Sequence, residues 1–258
     1  MNIVVCVKQT PDTAATVSVE NGVVTWGEAP LVLNPWDEYA VEEALRIKEA
    51  HGGKVTAISL GSEGAREALK QALAMGCDEG VLISDADFGG VDSLVASQAL
   101  AAAIQKLDGI DLALFGRQAV DSDTGLTGAQ VARRLGWPSL SLVSAITELD
   151  PAGRSITVQR MLEEGRQIVR SPLPAAMSVV KEINEPRYPS FMGIRKASRA
   201  EIPIWTASDL GDVGQAAVSW AEIIPPPRLE TRCEFIDGAS PQEIAGRLVD
   251  RLVEEKVI

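Results

Sequence analysis

The sequence predicts an α/β protein with a doubly wound, mostly parallel sheet, an antiparallel extension of that sheet and a C-terminal arm. Three observations support this prediction. Strand-like and helix-like segments alternate through the first half of the chain, β-rich runs follow one another in residues 139–180, and an amphipathic helix follows a proline-rich stretch near the end. The 258 residues are enough to bury a substantial core.

The first half alternates short apolar runs with segments whose apolar residues recur at helical spacing. These patterns predict strands at residues 3–7, 54–59, 80–84 and 111–115. They predict helices at residues 35–50, 63–75, 91–107 and 127–135. Asn34 precedes a proline in the first helical position, so it is expected to be the N-cap of its helix. Between two β-like runs, the dipeptide Asn21-Gly22 predicts a small hairpin.

The second half predicts three further regions. Residues 139–180 carry β-rich runs separated by turn signals, which predict the antiparallel extension of the sheet. Residues 184–227 have no periodicity and many prolines, so we expect them to cross the surface or lie on a partner. Ser240 and Glu243 predict a capped terminal helix that either folds back or clasps another subunit. The predicted domains are residues 1–183, 184–227 and 228–258.

The composition excludes several classes of function. A net charge of −12 argues against nucleic-acid binding. The chain has one histidine, His51, and its three cysteines have no metal-ligand spacing, so triad hydrolysis and a histidine-rich zinc site lack their residues. Cysteines of this kind indicate a reduced, cytoplasmic protein. The apolar N-terminal run is short for a signal peptide, and no apolar stretch is long enough to span a bilayer, so membrane insertion is not expected.

The loop at residues 116–128, GRQAVDSDTGLTG, joins a predicted buried strand to a predicted helix. Free backbone N–H groups and the positive end of the helix dipole both favour an anion at such a junction. The loop has no GxGxxG or GxxxxGK[ST] pattern, so its glycines alone favour an ordinary strand-to-helix turn. Thr124 and Thr127 would add hydroxyl donors. Asp121 and Asp123 are unusual neighbours for a phosphate and are expected to bind a ribose or their own loop.

A second candidate region is residues 184–199, NEPRYPSFMGIRKASR, which carries four basic residues and has no acid after Glu185. Its apolar residues Phe191 and Met192 lie between prolines and a glycine. One interpretation is a loop with one buried aromatic residue and a solvated basic end. The other is an exposed apolar anchor ringed by positive charge, which suits docking on an acidic protein surface.

Together these segments resemble the β-subunit of electron-transfer flavoproteins. The shared motifs are VCVK at residues 5–8, NPWD at 34–37 with AVEEA at 40–44, ALAMG at 72–76, GRQA at 116–119 through TG at 127–128, LPA at 173–175 and NEPRY at 184–188. The resemblance covers most of the chain, and the motifs agree in order and spacing. It implies an adenine-nucleotide-binding-like fold, a heterodimer with an α-subunit, and an electron carrier rather than a substrate-converting enzyme.

The resemblance also implies cofactors, partners and site residues. One FAD is expected at the interface with the α-subunit, and a second FAD or an AMP in the β-subunit. Electrons would pass from flavin dehydrogenases, such as the acyl-CoA dehydrogenase of fatty acid oxidation, to a quinone oxidoreductase or similar acceptor. The implied nucleotide contacts are Cys6, Asn34, Leu60, Gly116, Arg117, Gln118, Ala119, Asp121, Asp123, Thr124, Gly125, Leu126 and Thr127. The implied partner-docking residues are Arg187, Tyr188, Phe191, Met192, Arg195 and Lys196.

Three positions depart from the better-known members of that family. Thr13 replaces a tyrosine near the flavin, Met161 replaces a glutamate that follows Arg160, and DTG at 123–125 replaces a more amide-rich sequence. The third change is closer to members that bind a second FAD and bifurcate electrons, so a second FAD is slightly favoured over AMP. The alternative function is a nucleotide-binding regulatory module of the universal-stress type, which leaves residues 184–205 without a task.

Overall fold

The computed structural model describes residues 1–88, 90, 92–225, 227 and 233–258. Within them the strands are β1 (Asn2–Cys6), β2 (Gln9–Pro11), β3 (Ser18–Glu20), β4 (Val23–Thr25), β5 (Leu31–Leu33), β6 (Lys54–Leu60), β7 (Glu79–Ile83), β8 (Leu112–Gly116), β9 (Ser139–Asp150), β10 (Ser155–Leu162), β11 (Gly165–Pro172), β12 (Ala175–Val179) and β13 (Ile204–Trp205). The helices are α1 (Pro35–His51), α2 (Arg66–Met75), α3 (Ser93–Lys106), α4 (Thr127–Leu135), α5 (Phe191–Ala197), α6 (Ala207–Leu210) and α7 (Pro241–Glu254).

A nine-stranded sheet organises residues 1–223, with strand order β11-β10-β9-β12-β8-β1-β6-β7-β13. In the part of the sheet with the order β9-β12-β8-β1-β6-β7-β13, every strand is parallel to its neighbours. The strands β11, β10 and β9 pair antiparallel at the other end of the sheet. The predicted fold class is therefore confirmed. One strand differs from the prediction, because β12 lies parallel between β8 and β9 instead of in the antiparallel extension. Four of its five residues are buried, as a central strand covered on both faces requires.

Helices cover both faces of the parallel part of the sheet, and alternate residues of each strand reach opposite cores. Val5 packs in the core that includes residues of α1 and α2, whereas Val4 packs in the core that includes residues of α3 and α4. Both valines are fully buried. This arrangement leaves the carboxyl edge of the sheet open between the two helical layers.

The predicted elements of the first half are present, with small shifts at their ends. The helix predicted from residue 91 begins at Ser93, and the side chain of Asp92 caps it by accepting from the Val95 N–H at 3.0 Å; residue 91 itself lies outside the described residues. In the predicted hairpin between β3 and β4, Asn21 and Gly22 have φ angles of 53° and 76°. A type I′ turn requires positive φ at both of these positions.

Residues 184–210 contain regular elements that the sequence did not predict, namely α5, β13 and α6. The apolar pattern of α5 does not predict a helix, because its buried face is made of small residues and its large apolar residues face outward. Ala197 is buried, and a Cβ at Gly193 would collide with the carbonyl oxygen of Ala74 in α2. The close approach of α5 to α2 therefore depends on a glycine, while Phe191 stays 80% exposed.

Two side chains fasten the start of this segment to α1. Arg187 donates from Nε to Glu42 Oε2 at 2.7 Å and from Nη1 to Glu49 Oε1 at 2.5 Å. Asn184 donates from Nδ2 to Glu43 Oε2 at 3.0 Å. Glu42 and Glu43 are both buried on α1, so these contacts satisfy carboxylates that have little access to water; Glu43 also pairs with Arg46 at 3.5 Å.

Residues 224–258 form a separate unit. The helix α7 begins at Pro241 as predicted, and Ser240 Oγ accepts from the Glu243 N–H at 3.2 Å. The apolar residues of its stripe are partly exposed, with values of 36% for Ile244 and 55% for Val253. Residues 228–232, where the predicted arm starts, lie outside the described residues. Within the described part of the chain, we find no helix whose length and apolar character would allow it to cross a membrane.

The substitution Arg187→Met should lower the free energy of unfolding by about 1–3 kcal/mol, because it leaves the buried Glu42 carboxylate without its partner. Urea unfolding measures the difference. The double variant Arg187→Met/Glu42→Gln should recover part of the loss, since no buried charge is then left unpaired. A double variant that is less stable than Arg187→Met would contradict this explanation.

Candidate nucleotide site and docking surface

Three strands end together at the carboxyl edge of the sheet, where ligands bind in doubly wound folds. Cys6 ends β1, Leu60 ends β6 and Gly116 ends β8, and these strands are adjacent in the sheet. The structure thus brings three of the predicted nucleotide contacts to one edge. Burial, with a smaller contribution from Asp37, raises the pKa of the Cys6 thiol well above its ordinary value. Cys6 can therefore contribute a neutral, apolar surface here.

A buried carboxylate fixes the geometry of this edge. Asp37, in the first turn of α1, accepts from the Lys8 N–H at 2.8 Å and from the Gly116 N–H. Gly116 has no space for a side chain, because a Cβ would collide with Asp37 Oδ1 and the backbone of Trp36. Burial raises the pKa of Asp37 to about 7, against the opposing effect of the N–H donors of Lys8 and Gly116 and the side chain of Asn34.

Asn34 lies at the N-cap position of α1, but its side chain does not cap that helix. Nδ2 donates to the Gln118 carbonyl at 2.9 Å, and Oδ1 accepts from the Val120 N–H at 3.2 Å. The predicted N-cap position of Asn34 is therefore confirmed, but its side chain does not make the expected cap hydrogen bond. The buried amide instead satisfies two backbone groups of the loop that have no helix or sheet partner, which fixes the first half of the loop. A contact of Asn34 with a nucleotide stays a prediction.

The loop presents donors to solvent from Thr124 onward, whereas the N–H groups of Ser122 and Asp123 already donate to the Ala119 carbonyl. Residues 121–126 are exposed, and Gly125 adopts a φ of 61°. The helix α4 begins at Thr127, and no side chain caps the N–H groups of its first turn among the described residues. Uncapped N–H groups at a helix start, with the Thr124 and Thr127 hydroxyls beside them, form a donor set that fits a phosphate. The residues present therefore fit the anionic part of an adenine nucleotide or FAD.

The two carboxylates of the loop have partners inside the chain. Gln118 Nε2 donates to Asp123 Oδ1 at 2.7 Å, in agreement with the expectation that this aspartate binds its own loop. Asp121 forms an ion pair with Lys8, whose Nζ lies 2.7 Å from each carboxylate oxygen. The sequence did not predict this pair, although Lys8 follows the strand β1 directly and so lies at the same edge as the loop.

A pocket of about 230 Å³ adjoins the loop. Its lining is mostly apolar and consists of Pro11, Asp12, Thr13, Ala15, Val17, Val24, Trp26, Val120 and Asp121. Thr13, one of the three positions that depart from the family resemblance, is one of these residues. Because Val120 and Asp121 belong to the loop, a ligand on the loop has an apolar space of aromatic-ring size beside it.

The predicted docking residues lie at the opposite edge of the sheet. Tyr188, Phe191 and Met192 are 96%, 80% and 69% exposed. Met192, Arg195 and Lys196 line a cleft of about 640 Å³ whose other wall contains the start of β7. The interpretation of Phe191 as a buried aromatic residue is therefore wrong, and an exposed apolar anchor beside basic residues remains. Arg187 differs from the others, since its guanidinium is engaged with Glu42 and Glu49 and holds the segment in place.

Comparison with known proteins agrees with this architecture. A family model described as an electron transfer flavoprotein domain matches residues 22–210. The chain is 42% identical to the electron transfer flavoprotein subunit beta of Clostridium acetobutylicum, over 99% of this chain and 94% of that protein. It is 38% identical to the caffeyl-CoA reductase–Etf complex subunit CarD of Acetobacterium woodii over the full length of both chains. Protein FixA of Azorhizobium caulinodans is 39% identical, over 82% of this chain and 77% of that protein.

The chain therefore belongs to the electron transfer flavoprotein family, as a relative of its β-subunits. Membership in this family supports a role in electron transport and assigns the chain to the flavoproteins. It also favours this role over a regulatory module of the universal-stress type.

The raised pKa of Asp37 predicts a specific pH dependence of stability. The folded protein keeps a proton on Asp37 up to about pH 7, whereas the unfolded chain loses it near the ordinary pKa of 3.8. The contribution of this group to the free energy of unfolding should therefore fall as the pH rises from about 4 to about 7. Urea unfolding of the wild type and of Asp37→Asn across this pH range isolates the contribution of Asp37 to the free energy of unfolding. Parallel pH profiles for the two proteins would contradict it.

Proposed function

We propose that this chain is the β-subunit of a heterodimeric electron transfer flavoprotein. An α-subunit would complete an FAD site at the interface, and the edge loop of this chain would hold an adenine nucleotide. The redox chemistry belongs to the flavin, while the protein supplies position, electrostatics and docking. The observation that carries the proposal is the loop of residues 116–127 at the carboxyl edge of the sheet. Its residues 124–126 are exposed, and no side chain caps the start of the helix that follows, so N–H and hydroxyl donors are available there.

The ligand of the loop is a second FAD or AMP, and two features favour the second FAD. The sequence Asp123-Thr124-Gly125 is closer to family members that hold a flavin there. The apolar pocket beside the loop, with Trp26 in its wall, offers room for a ring system in addition to the nucleotide. A second FAD is what electron bifurcation requires, so this function is part of the proposal.

The electron donor is proposed to be a flavin dehydrogenase of the acyl-CoA type, and the acceptor a quinone oxidoreductase or a similar protein. A relative with 38% identity carries the name of a caffeyl-CoA reductase–Etf complex subunit, which supports a donor or acceptor that acts on a CoA thioester. The exposed Phe191 and Met192 would enter an apolar recess of that protein, and Arg195 and Lys196 would face its acidic rim.

The unit of residues 224–258 is proposed to bind the α-subunit. Its helix α7 has an apolar stripe of which Ile244, Leu248, Val249 and Val253 are 36–55% exposed. An amphipathic helix with its apolar face exposed gains free energy when another protein surface covers that face. A cytoplasmic heterodimer is part of the proposal: the exposed stripe supports the second subunit, and the cysteine usage of the chain supports the compartment.

Bound nucleotide tests the proposal directly. The chain is co-expressed with its α-subunit, the heterodimer is treated with acid, and released FAD and AMP are quantified. Two FAD and no AMP are expected; one FAD with one AMP would keep the carrier function and exclude the second flavin. The double variant Thr124→Val/Thr127→Val should lose only the loop ligand, whereas Thr147→Val, at an exposed threonine of β9, should lose neither. A preparation with neither ligand and no stable heterodimer would contradict the proposed function.

Docking through Phe191 predicts a second, independent result. In the heterodimer, Phe191→Ala should lower the kcat/KM for reduction by an acyl-CoA-type flavin dehydrogenase on the order of tenfold, because an anchor at the centre of the contact is removed. Bound nucleotide should not change, since α5 and the loop lie at opposite edges of the sheet. Ile168→Ala, at an apolar β11 residue that is 60% exposed, is the matched control. Equal rates for Phe191→Ala and the control would contradict docking at this residue.

A further inference from the structure

Two carboxylates lie in a loop that is proposed to hold an anion. Asp123 is hydrogen-bonded by the neutral amide of Gln118, and Asp121 is paired with the cationic Lys8. The Lys8–Asp121 contact is symmetric, with 2.7 Å to each oxygen, and the carboxylate side chain is only 22% exposed. Of these two contacts, only the one with Lys8 cancels a charge.

Asp121 is close enough to the phosphate donors for its charge to matter. It precedes Thr124 by three residues, and a chain spans at most about 3.6 Å per residue, so the two Cα atoms lie within about 11 Å. This distance is comparable with the Debye length of about 8–10 Å at moderate ionic strength. An unpaired carboxylate at residue 121 would therefore repel a phosphate bound by the N–H groups of residues 124–127.

The backbone of Lys8 is held in place before its side chain reaches the loop. Its N–H donates to Asp37 at 2.8 Å, and its carbonyl accepts from the Asn34 N–H at 2.9 Å. The side chain therefore starts from a fixed point at the end of β1 and places Nζ against the loop.

We propose that Lys8 is a positioning residue of the nucleotide site, which acts by cancelling the charge of Asp121 so that the loop accepts a phosphate. The inference rests on the proposed nucleotide site and adds a specific role for a residue that the sequence did not select. It makes an asymmetric prediction for the two partners. Loss of Lys8 leaves a repelling carboxylate in the loop, whereas loss of the Asp121 charge leaves a lysine beside the phosphate.

The test uses the heterodimer stripped of its loop ligand, with AMP and FAD as probes in calorimetric titrations. Lys8→Met should weaken binding about two- to threefold, as expected for one partly screened charge within about 11 Å. Asp121→Asn should bind at least as tightly as the wild type. The double variant Lys8→Met/Asp121→Asn should recover most of the loss, and the defect of Lys8→Met should shrink at high salt. A purely structural role of Lys8 would produce neither the recovery nor the salt dependence.

The control is Lys54→Met, which breaks the Lys54–Glu79 ion pair of 2.6 Å at the opposite edge of the sheet and should leave binding unchanged. Lys8→Arg keeps the charge and should also bind normally. If the wild type binds a probe and Lys8→Met binds it equally well, or if the double variant is as weak as Lys8→Met, the role of Lys8 is overturned while the proposed function stands. A wild type that binds neither probe overturns both.

Discussion

The carboxylate of Asp37 accepts N–H groups from the ends of two adjacent strands and belongs to the first turn of the helix that covers them. Because the side chain is buried, moving it away from these donors would destabilise the fold: the carboxyl group would then have neither water nor hydrogen-bond partners. Gly116 has to be a glycine for the same reason, since the carboxylate occupies the space of a side chain. The directions in which the chain leaves β1 and β8 therefore depend on this one residue.

Asn34 extends the same constraint into the loop. It lies one turn before Asp37, and its amide holds the backbone of Gln118 and Val120. One turn of chain at the start of α1 thus positions the end of β1, the end of β8 and the first half of the loop. Asn34 does not contact the second half of the loop, which leads to the start of α4 at Thr127, where the free donors lie. The loop combines a rigid base with an open tip, which suits a site that has to be preformed and accessible.

The proposed docking surface and the proposed nucleotide loop lie at opposite edges of the sheet. The strand β7 has five residues, so the Cα atoms at its two ends lie about 13 Å apart. The helix α5 adjoins the amino end of β7, whereas the loop follows the carboxyl end of β8. A partner bound at α5 can therefore exchange without displacing a ligand held by the loop. This separation fits a carrier that meets several partners and keeps its cofactor throughout.

Most of the fold could be predicted from the sequence because its elements carry local signals. Apolar periodicity marked the strands and helices of the parallel sheet, and Asn21-Gly22 marked the hairpin through its backbone preference. The helix α5 carried no such signal, because Gly193 and Ala197 form its buried face and its large residues point outward. The contacts of Asp37 and Lys8 could not be predicted from the sequence either. Their roles arise from contacts with residues 79 and 113 positions away, which only the folded chain brings together.

Amide hydrogen exchange of the heterodimer, with and without its loop ligand, tests the central claim most directly. The claim is that Asp37 and Asn34 preform the base of a loop whose tip binds a nucleotide. The N–H groups of Gly116 and Val120 should exchange slowly in both states, and those of residues 124–129 should become protected only when AMP or FAD is added. Fast exchange at Gly116 and Val120 without ligand, or protection that appears elsewhere in the chain, would contradict the account.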